Sequence, residues 1–247
     1  MVDWEALRAL SLVEERWEAL LGCGHSASRL GLIRGGDFEA IADAMAIALY
    51  SFDEVEEEFV LEKGFARPCG HLMAEGQIFE TIVVPEGYGR SEPLRDLLAR
   101  CLQKECELGI PFTVLAPMED GWEALTEYPF GHALDRARLI GQLNEAGHRP
   151  MALNADGLKL RHLKQNRFHL FAIENGGDDR PAGSICLTLH RFARPEWYPD
   201  MQADWIDLRD VQTTKLACKA TEQGLEVRIP NMAGGERAGL LIDTDPN

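Results

Sequence analysis

The chain has 247 residues, 45% of them hydrophobic, which is long enough for one large or two small buried cores and excludes a disordered chain. Its 25 basic and 41 acidic residues leave a net charge of −16, a balance that repels nucleic acid and anionic lipid because both require a basic footprint. No apolar run reaches the roughly 18 residues of a membrane span, and Met1 to Glu5 lack the basic and apolar blocks of a signal peptide, so a cytoplasmic protein is expected. In that setting the scattered Cys23, Cys69, Cys101, Cys106, Cys186 and Cys218 read as free thiols rather than a disulfide framework.

Trp4, Leu7, Leu10, Val13, Trp17, Leu20 and Leu21 recur at three- and four-residue steps, which predicts a helix over 2–21, stopped by Gly22 to Gly24. Leu30 to Ile33 reads as a short strand, and Asp37 as the N-cap of a helix over 38–50. A short helix is expected over 54–61, its Glu54, Glu56, Glu57 and Glu58 forming a solvated face. The β-branched run Phe79 to Val84 before Pro85 predicts a buried strand. Ser91 then caps a helix facing inward with Leu94, Leu97, Leu98, Cys101 and Leu102, closing at Gly109. Ile110 to Ala116 is a further buried strand, and strand–helix–strand units of this length imply parallel pairs and an open, doubly wound sheet. A helix over 133–145 completes this α/β half, expected to span residues 1–150.

Beyond Pro150 the hydrophobic period changes. Short alternating runs at 158–163, 168–175, 184–189, 205–208, 214–220, 225–229 and 238–243, punctuated by Gly and Asn, predict an all-β antiparallel sandwich over 151–247.

Three segments carry a resemblance. They are Gly70-His71-Leu72 through Pro85; Leu94 through Ala116; and Leu160-Arg161-His162-Leu163, Phe168 through Asn175, and Glu196-Trp197-Tyr198-Pro199-Asp200. In that order they resemble the C-terminal, non-catalytic region of multidomain glycoside hydrolases of the β-galactosidase and α-L-rhamnosidase-like type. The resemblance implies a flavodoxin-like domain followed by a β-sandwich, with a catalytic barrel or another subunit as partner. It also implies an accessory role in packing or oligomerisation and no catalytic residues, since the family's paired carboxylates sit on the barrel; that chemistry needs two carboxylates about 5 Å or roughly 6.5–9.5 Å apart. Related β-galactosidases place the equivalent domain in oligomer contacts, so a homo-oligomer is expected, with Trp4 and Trp17 sharing one apolar face of the first helix.

Several residues bear on alternative chemistry. A flavodoxin-like sheet can carry an amidotransferase-type cysteine after its strand, but Ala116-Pro117 stand there. Val84 to Arg90, the following helix and Tyr128 to Gly131 resemble the pyrophosphate loop and terminal element of an acyl-CoA-dependent N-acetyltransferase, which is the alternative function. The loop lacks that family's full glycine pattern, and no cofactor is expected. Cys23-Gly24-His25 and Cys69-Gly70-His71 supply four side chains of the softness zinc prefers, without the tight Cys-x-x-Cys spacing of structural sites. Trp197, Tyr198 and Trp205 are candidates for sugar stacking. Glu119 and Asp120, just past a strand's carboxyl end, are candidate carbohydrate-binding carboxylates. His162 and His169 lie on neighbouring strands and read as hydrogen-bonded structure.

Overall fold

A computed structural model of the chain describes residues 4–22, 25–67, 70–104, 111–165, 168–188, 201–222 and 224–243. They form two compact units: residues 28–149, and a unit built from both ends of the chain, 1–27 with 150–247.

In chain order the first elements are α1 (Trp4–Leu21) and β1 (His25–Ser26). The α/β unit follows with β2 (Leu30–Ile33), α2 (Phe38–Ile47), β3 (Asp53–Val55), α3 (Glu57–Lys63), β4 (Gly64–Ala66), β5 (Leu72–Ala74), β6 (Gln77–Phe79) and β7 (Thr81–Val83). It closes with α4 (Glu92–Leu102), β8 (Thr113–Ala116), a 3-10 turn (Trp122–Glu127), β9 (Gly131–Ala133), a second 3-10 turn (Arg136–Arg138) and α5 (Leu139–Glu145).

Among the described residues, β3-β2-β7-β8-β9 form a five-stranded sheet in which every neighbouring pair is parallel. Numbered by their order along the chain, these strands lie in space as second, first, third, fourth, fifth. β2, β7 and β8 are buried along their whole length, the two-sided burial that makes parallel strands read as unbroken apolar runs. One face, with Leu30, Leu32, Val83 and Leu115, is covered by Phe38, Ile41 and Met45 of α2 and by Leu139 and Leu143 of α5. The other, with Ile33, Val55, Ile82 and Val114, is covered by Val60 of α3 and by Leu94, Leu97, Leu98, Cys101 and Leu102 of α4. Ser91 caps α4 as expected, its hydroxyl accepting from the Leu94 amide at 3.4 Å.

Four local expectations are corrected. Asp53 to Val55 form an edge strand, so the helix expected over 54–61 begins only at Glu57. Gly131 to Ala133 pair with β8, and the helix expected over 133–145 shrinks to 139–145. Phe79 ends β6, in a small antiparallel sheet with β4 and β5, while β7 starts at Thr81. Asp37 precedes α2, but its carboxylate makes no cap bond and instead accepts from Arg136 at 2.7 Å.

The β unit continues with β10 (Ala152–Leu153), β11 (Leu158–Gln165), β12 (Phe168–Asn175), β13 (Gly183–Leu187), β14 (Gln202–Asp207), β15 (Thr213–Leu216), β16 (Cys218–Thr221), β17 (Gly224–Ile229) and β18 (Arg237–Asp243). Among the described residues they make two antiparallel sheets, β1-β11-β12-β18-β14-β15 and β10-β13-β17-β16. The run expected as one strand over 214–220 is two, and the chain passes from one sheet to the other at Ala217.

The division at residue 150 assigned the first helix to the α/β half; the structure places it with the β unit. Val13, Trp17, Leu20 and Leu21 pack on Leu163, Leu170, Ala172 and Leu208. The Arg237 guanidinium lies 5.2 Å over the Trp17 ring and pairs with Glu14 at 2.5 Å. Each such aliphatic side chain, once buried, contributes about 1.5–3 kcal/mol relative to exposure. The Trp4 side chain lies outside the described part of the helix. Trp17 already has its cover, so the expectation that the two tryptophans form a face of the α/β half is withdrawn. Among the described residues no helix is long and apolar enough to cross a membrane.

Candidate functional site

Open parallel sheets receive ligands outside the carboxyl ends of their strands, where the order of strands reverses. Here that point lies between β2 and β7, and three loops meet there: 34–37 after β2, 84–91 after β7 and 117–121 after β8.

The loops are joined to one another by their own groups. Gly36, with φ at +52°, lets the first loop touch the second: a Cβ there would lie 2.2 Å from the Glu86 carbonyl oxygen and 2.6 Å from the Tyr88 nitrogen. That closeness allows the Asp37 amide to donate to the Glu86 carbonyl at 2.8 Å. Tyr88 packs its ring against Gly35 and edge-on to Trp122, with centroids 5.8 Å apart. The Tyr88 hydroxyl donates to Glu57, whose other carboxylate oxygen accepts from Ser91. The Trp122 indole N–H donates to the Gly89 carbonyl at 2.7 Å, and Glu119 accepts from the Gly87 amide at 2.8 Å. Arg136 bridges Asp37 at 2.7 Å and Glu86 at 3.7 Å.

The electrostatics follow from this packing. Burial first, then the hydrogen bond and charge of Glu57, raises the Tyr88 hydroxyl above its ordinary range, so it stays a proton donor rather than becoming a base. Burial likewise pushes the Cys101 thiol up to about 12, which makes it core filler rather than a nucleophile.

The candidate residues separate as follows. Glu119 and Asp120 are both exposed past β8, and Glu119 is tied to the neighbouring loop through Gly87. That same bond takes the Gly87 amide, which the acetyltransferase reading would have aimed at a pyrophosphate. Trp205 lies in β14 with 5% of its surface exposed, so it offers no face to a sugar ring, and its role as a stacking platform is withdrawn. Trp197 and Tyr198 lie outside the described residues. So do Cys23 and Cys69 and the His25 side chain; His71 is buried within the α/β unit. Among the described residues no group of three His, Cys, Asp or Glu side chains could hold a metal ion. Sequence reasoning missed Glu57, Tyr88 and Trp122 as a cluster. Glu57 reads as one of an acidic surface run, and only the turn into α3 brings it beneath the β7 loop.

Such an assembly belongs to the class of an α/β unit with a parallel sheet and helices on both faces, joined in one chain to an antiparallel β unit. No family model and no curated protein matches the sequence. Solved structures do match the fold: a rhamnosidase from Novosphingobium sp. PP1Y superposes with a TM-score of 0.67 at 14% identity, covering 97% of this chain and 24% of that one. A β-galactosidase from Bacillus circulans sp. alkalophilus superposes with a TM-score of 0.51 at 10% identity, covering 92% of this chain and 44% of that one. The chain thus carries a fold found within glycoside hydrolase chains and spans less than half the length of either.

Proposed function

We propose that this chain is an accessory, non-catalytic partner of a glycoside hydrolase, a flavodoxin-like domain with a β-sandwich that packs against a catalytic barrel or another subunit. The observation that carries the reading is the likeness to the rhamnosidase, which spans both units of this chain yet only a quarter of that longer protein. The strand order second, first, third, fourth, fifth agrees with the flavodoxin-like type. The non-catalytic part of the reading draws support from the loops at the carboxyl ends. Their amides, carbonyls and hydroxyls bond Glu119, Trp122 and Glu57, groups of the protein itself, where a ligand site would keep donors aimed outward. Self-association through the α/β unit belongs to the same proposal.

The test is a turnover assay of the purified chain on aryl rhamnosides and aryl galactosides, alone and with a barrel-containing glycosidase from the same cells. The expected result is no turnover by the chain alone and co-elution with the glycosidase. Turnover by the chain alone that survives repurification, and that Glu119→Gln or Asp120→Asn abolishes, would overturn the proposal.

A further inference from the structure

The β unit contains a pair of histidines that the proposed function does not use. The register of β11 with β12 sets His162 opposite Phe171 and Lys164 opposite His169. Alternate residues of a strand share a face, so His162, Lys164, His169 and Phe171 stand on one side of the sheet, the two histidines as diagonal neighbours. Nε2 of His162 lies 2.9 Å from Nδ1 of His169, with the ring centroids 5.1 Å apart. His162 also stacks on Phe171 at 4.4 Å and 4° between planes. Only 3% of His162 and none of His169 is exposed.

Two imidazole nitrogens at this distance need one hydrogen between them, so at the contact one ring donates and the other accepts. Among the described residues, Lys164 from β11 is a charged neighbour that acts on both rings. On β18 the same-face positions are Ala238, Leu240 and Ile242. On β14 they are Ala203, Trp205 and Asp207, the last held by Arg209. The buried positions of β13 and β17 include Ile185, Leu187, Leu225, Val227 and Ile229, all apolar. The register of β1 sets His25 beside Lys164.

We propose that the His162–His169 pair is an acid-operated latch on the β1–β11–β12 edge of the β unit. With one hydrogen shared between the rings, the contact fastens β11 to β12. A proton arriving on the accepting nitrogen sets N–H against N–H and places a buried cation near Lys164, and that edge of the sheet opens.

The direction of the effect follows from linkage. Burial, then the neighbouring charge, lowers both histidines, His169 to about 4. Unfolded imidazoles take up protons near pH 6.5, so below that value the unfolded chain binds more protons than the folded one. The stability supplied by the neutral pair is complete above about pH 6.5 and drains away as the pH falls towards 4.

The test uses the full chain and the double variant His162→Gln/His169→Gln, which retains a donor and an acceptor that do not titrate. Melting temperatures and amide exchange are compared at about pH 7.5 and about pH 4.5. The wild type is expected to lose about 10 °C more than the variant over this interval, with β11 and β12 losing protection before β7 and β8. If the double variant does not fold, the imidazole Cε1–H resonances of the wild type decide: both are expected to stay unshifted down to about pH 5. Equal losses in the two proteins, or a ring that titrates near pH 6.5, would overturn the latch.

Discussion

The carboxylate of Glu119 accepts a hydrogen bond from the Gly87 amide at 2.8 Å, so a side chain beyond β8 holds the loop beyond β7 in place. Both groups are exposed, and a hydrogen bond to a charged acceptor in water is worth about 1 kcal/mol net. Glu119→Ala is expected to cost about that much in urea unfolding and to speed exchange of the Gly87 amide, leaving α4 protected. An unchanged Gly87 exchange rate would show that the bond does not hold the loop.

Gly36 and Gly76 separate backbone strain from lack of space. Both have positive φ, +52° and +86°, which costs an L-residue about 1–2 kcal/mol. A Cβ at Gly76 meets nothing within 4 Å, whereas one at Gly36 runs into the backbone of residues 86–88. Gly76→Ala is expected to cost about 1 kcal/mol by chemical denaturation and Gly36→Ala about 3 kcal/mol or more. Equal costs would mean that the two loops can part without penalty.

Much of this architecture was legible in the residues, and the misses share a physical cause. α4 announced itself through the Ser91 cap and the stripe from Leu94 to Leu102, because cap and periodicity are local properties. β3 and β9 did not: Asp53-Glu54-Val55 and Gly131-His132-Ala133 are three-residue edge strands made by pairing with β2 and β8, without apolar alternation of their own. α1 was legible as a helix, yet periodicity reveals an apolar face and not the surface it meets, so its place on the β unit was missed. The Glu57–Tyr88–Trp122 cluster is wholly tertiary, since its members come from the start of α3, the loop after β7 and the 3-10 turn after β8. The candidate carboxylates Glu119 and Asp120 were found at a strand's carboxyl end, but the bond to Gly87 could not be read from spacing.

Cys101 is expected to resist thiol reagents in the native protein. It is fully buried, and its thiol is pushed up to about 12, so almost no thiolate is present near neutral pH. Mass mapping after brief treatment with an alkylating reagent should find Cys101 unmodified until denaturant is added. Rapid native labelling there would mean that α4 leaves the sheet readily.

Asp207 offers a pH readout of the β14–β15 connection. Burial works to raise its carboxyl, but the backbone amide and side chain of Arg209 outweigh it and the net shift is downward. A depressed carboxylate stabilises the fold above its unfolded value near pH 3.9 and loses that contribution as the pH falls lower. Arg209→Ala is expected to move the Asp207 carboxyl upward in a carbon-detected titration and to flatten stability on the acid side. No movement would assign the shift to other neighbours.

The division into units predicts unequal fragments. Residues 28–149 contain both faces of the parallel sheet together with the helices that cover them, and should unfold cooperatively as an isolated polypeptide. Residues 150–247 alone leave Leu163, Leu170 and Ala172 without α1, and should bind a hydrophobic dye and melt lower than in the whole chain. Supplying a peptide of residues 4–27 should reverse both changes; failure to do so would remove α1 as the cover.

Because the β unit is assembled from both ends of the chain, its completion is tied to the timetable of synthesis. α1 leaves the ribosome before the strands it covers, which are made only after the 122 residues of the α/β unit have emerged. The inserted unit can fold while the helix waits with Trp17 and Leu20 unsheltered, and the closing contacts then bridge more than 140 positions between Leu20 and Leu163. Between the synthesis of α1 and that of β11 and β12, the apolar face of this helix is open to other surfaces.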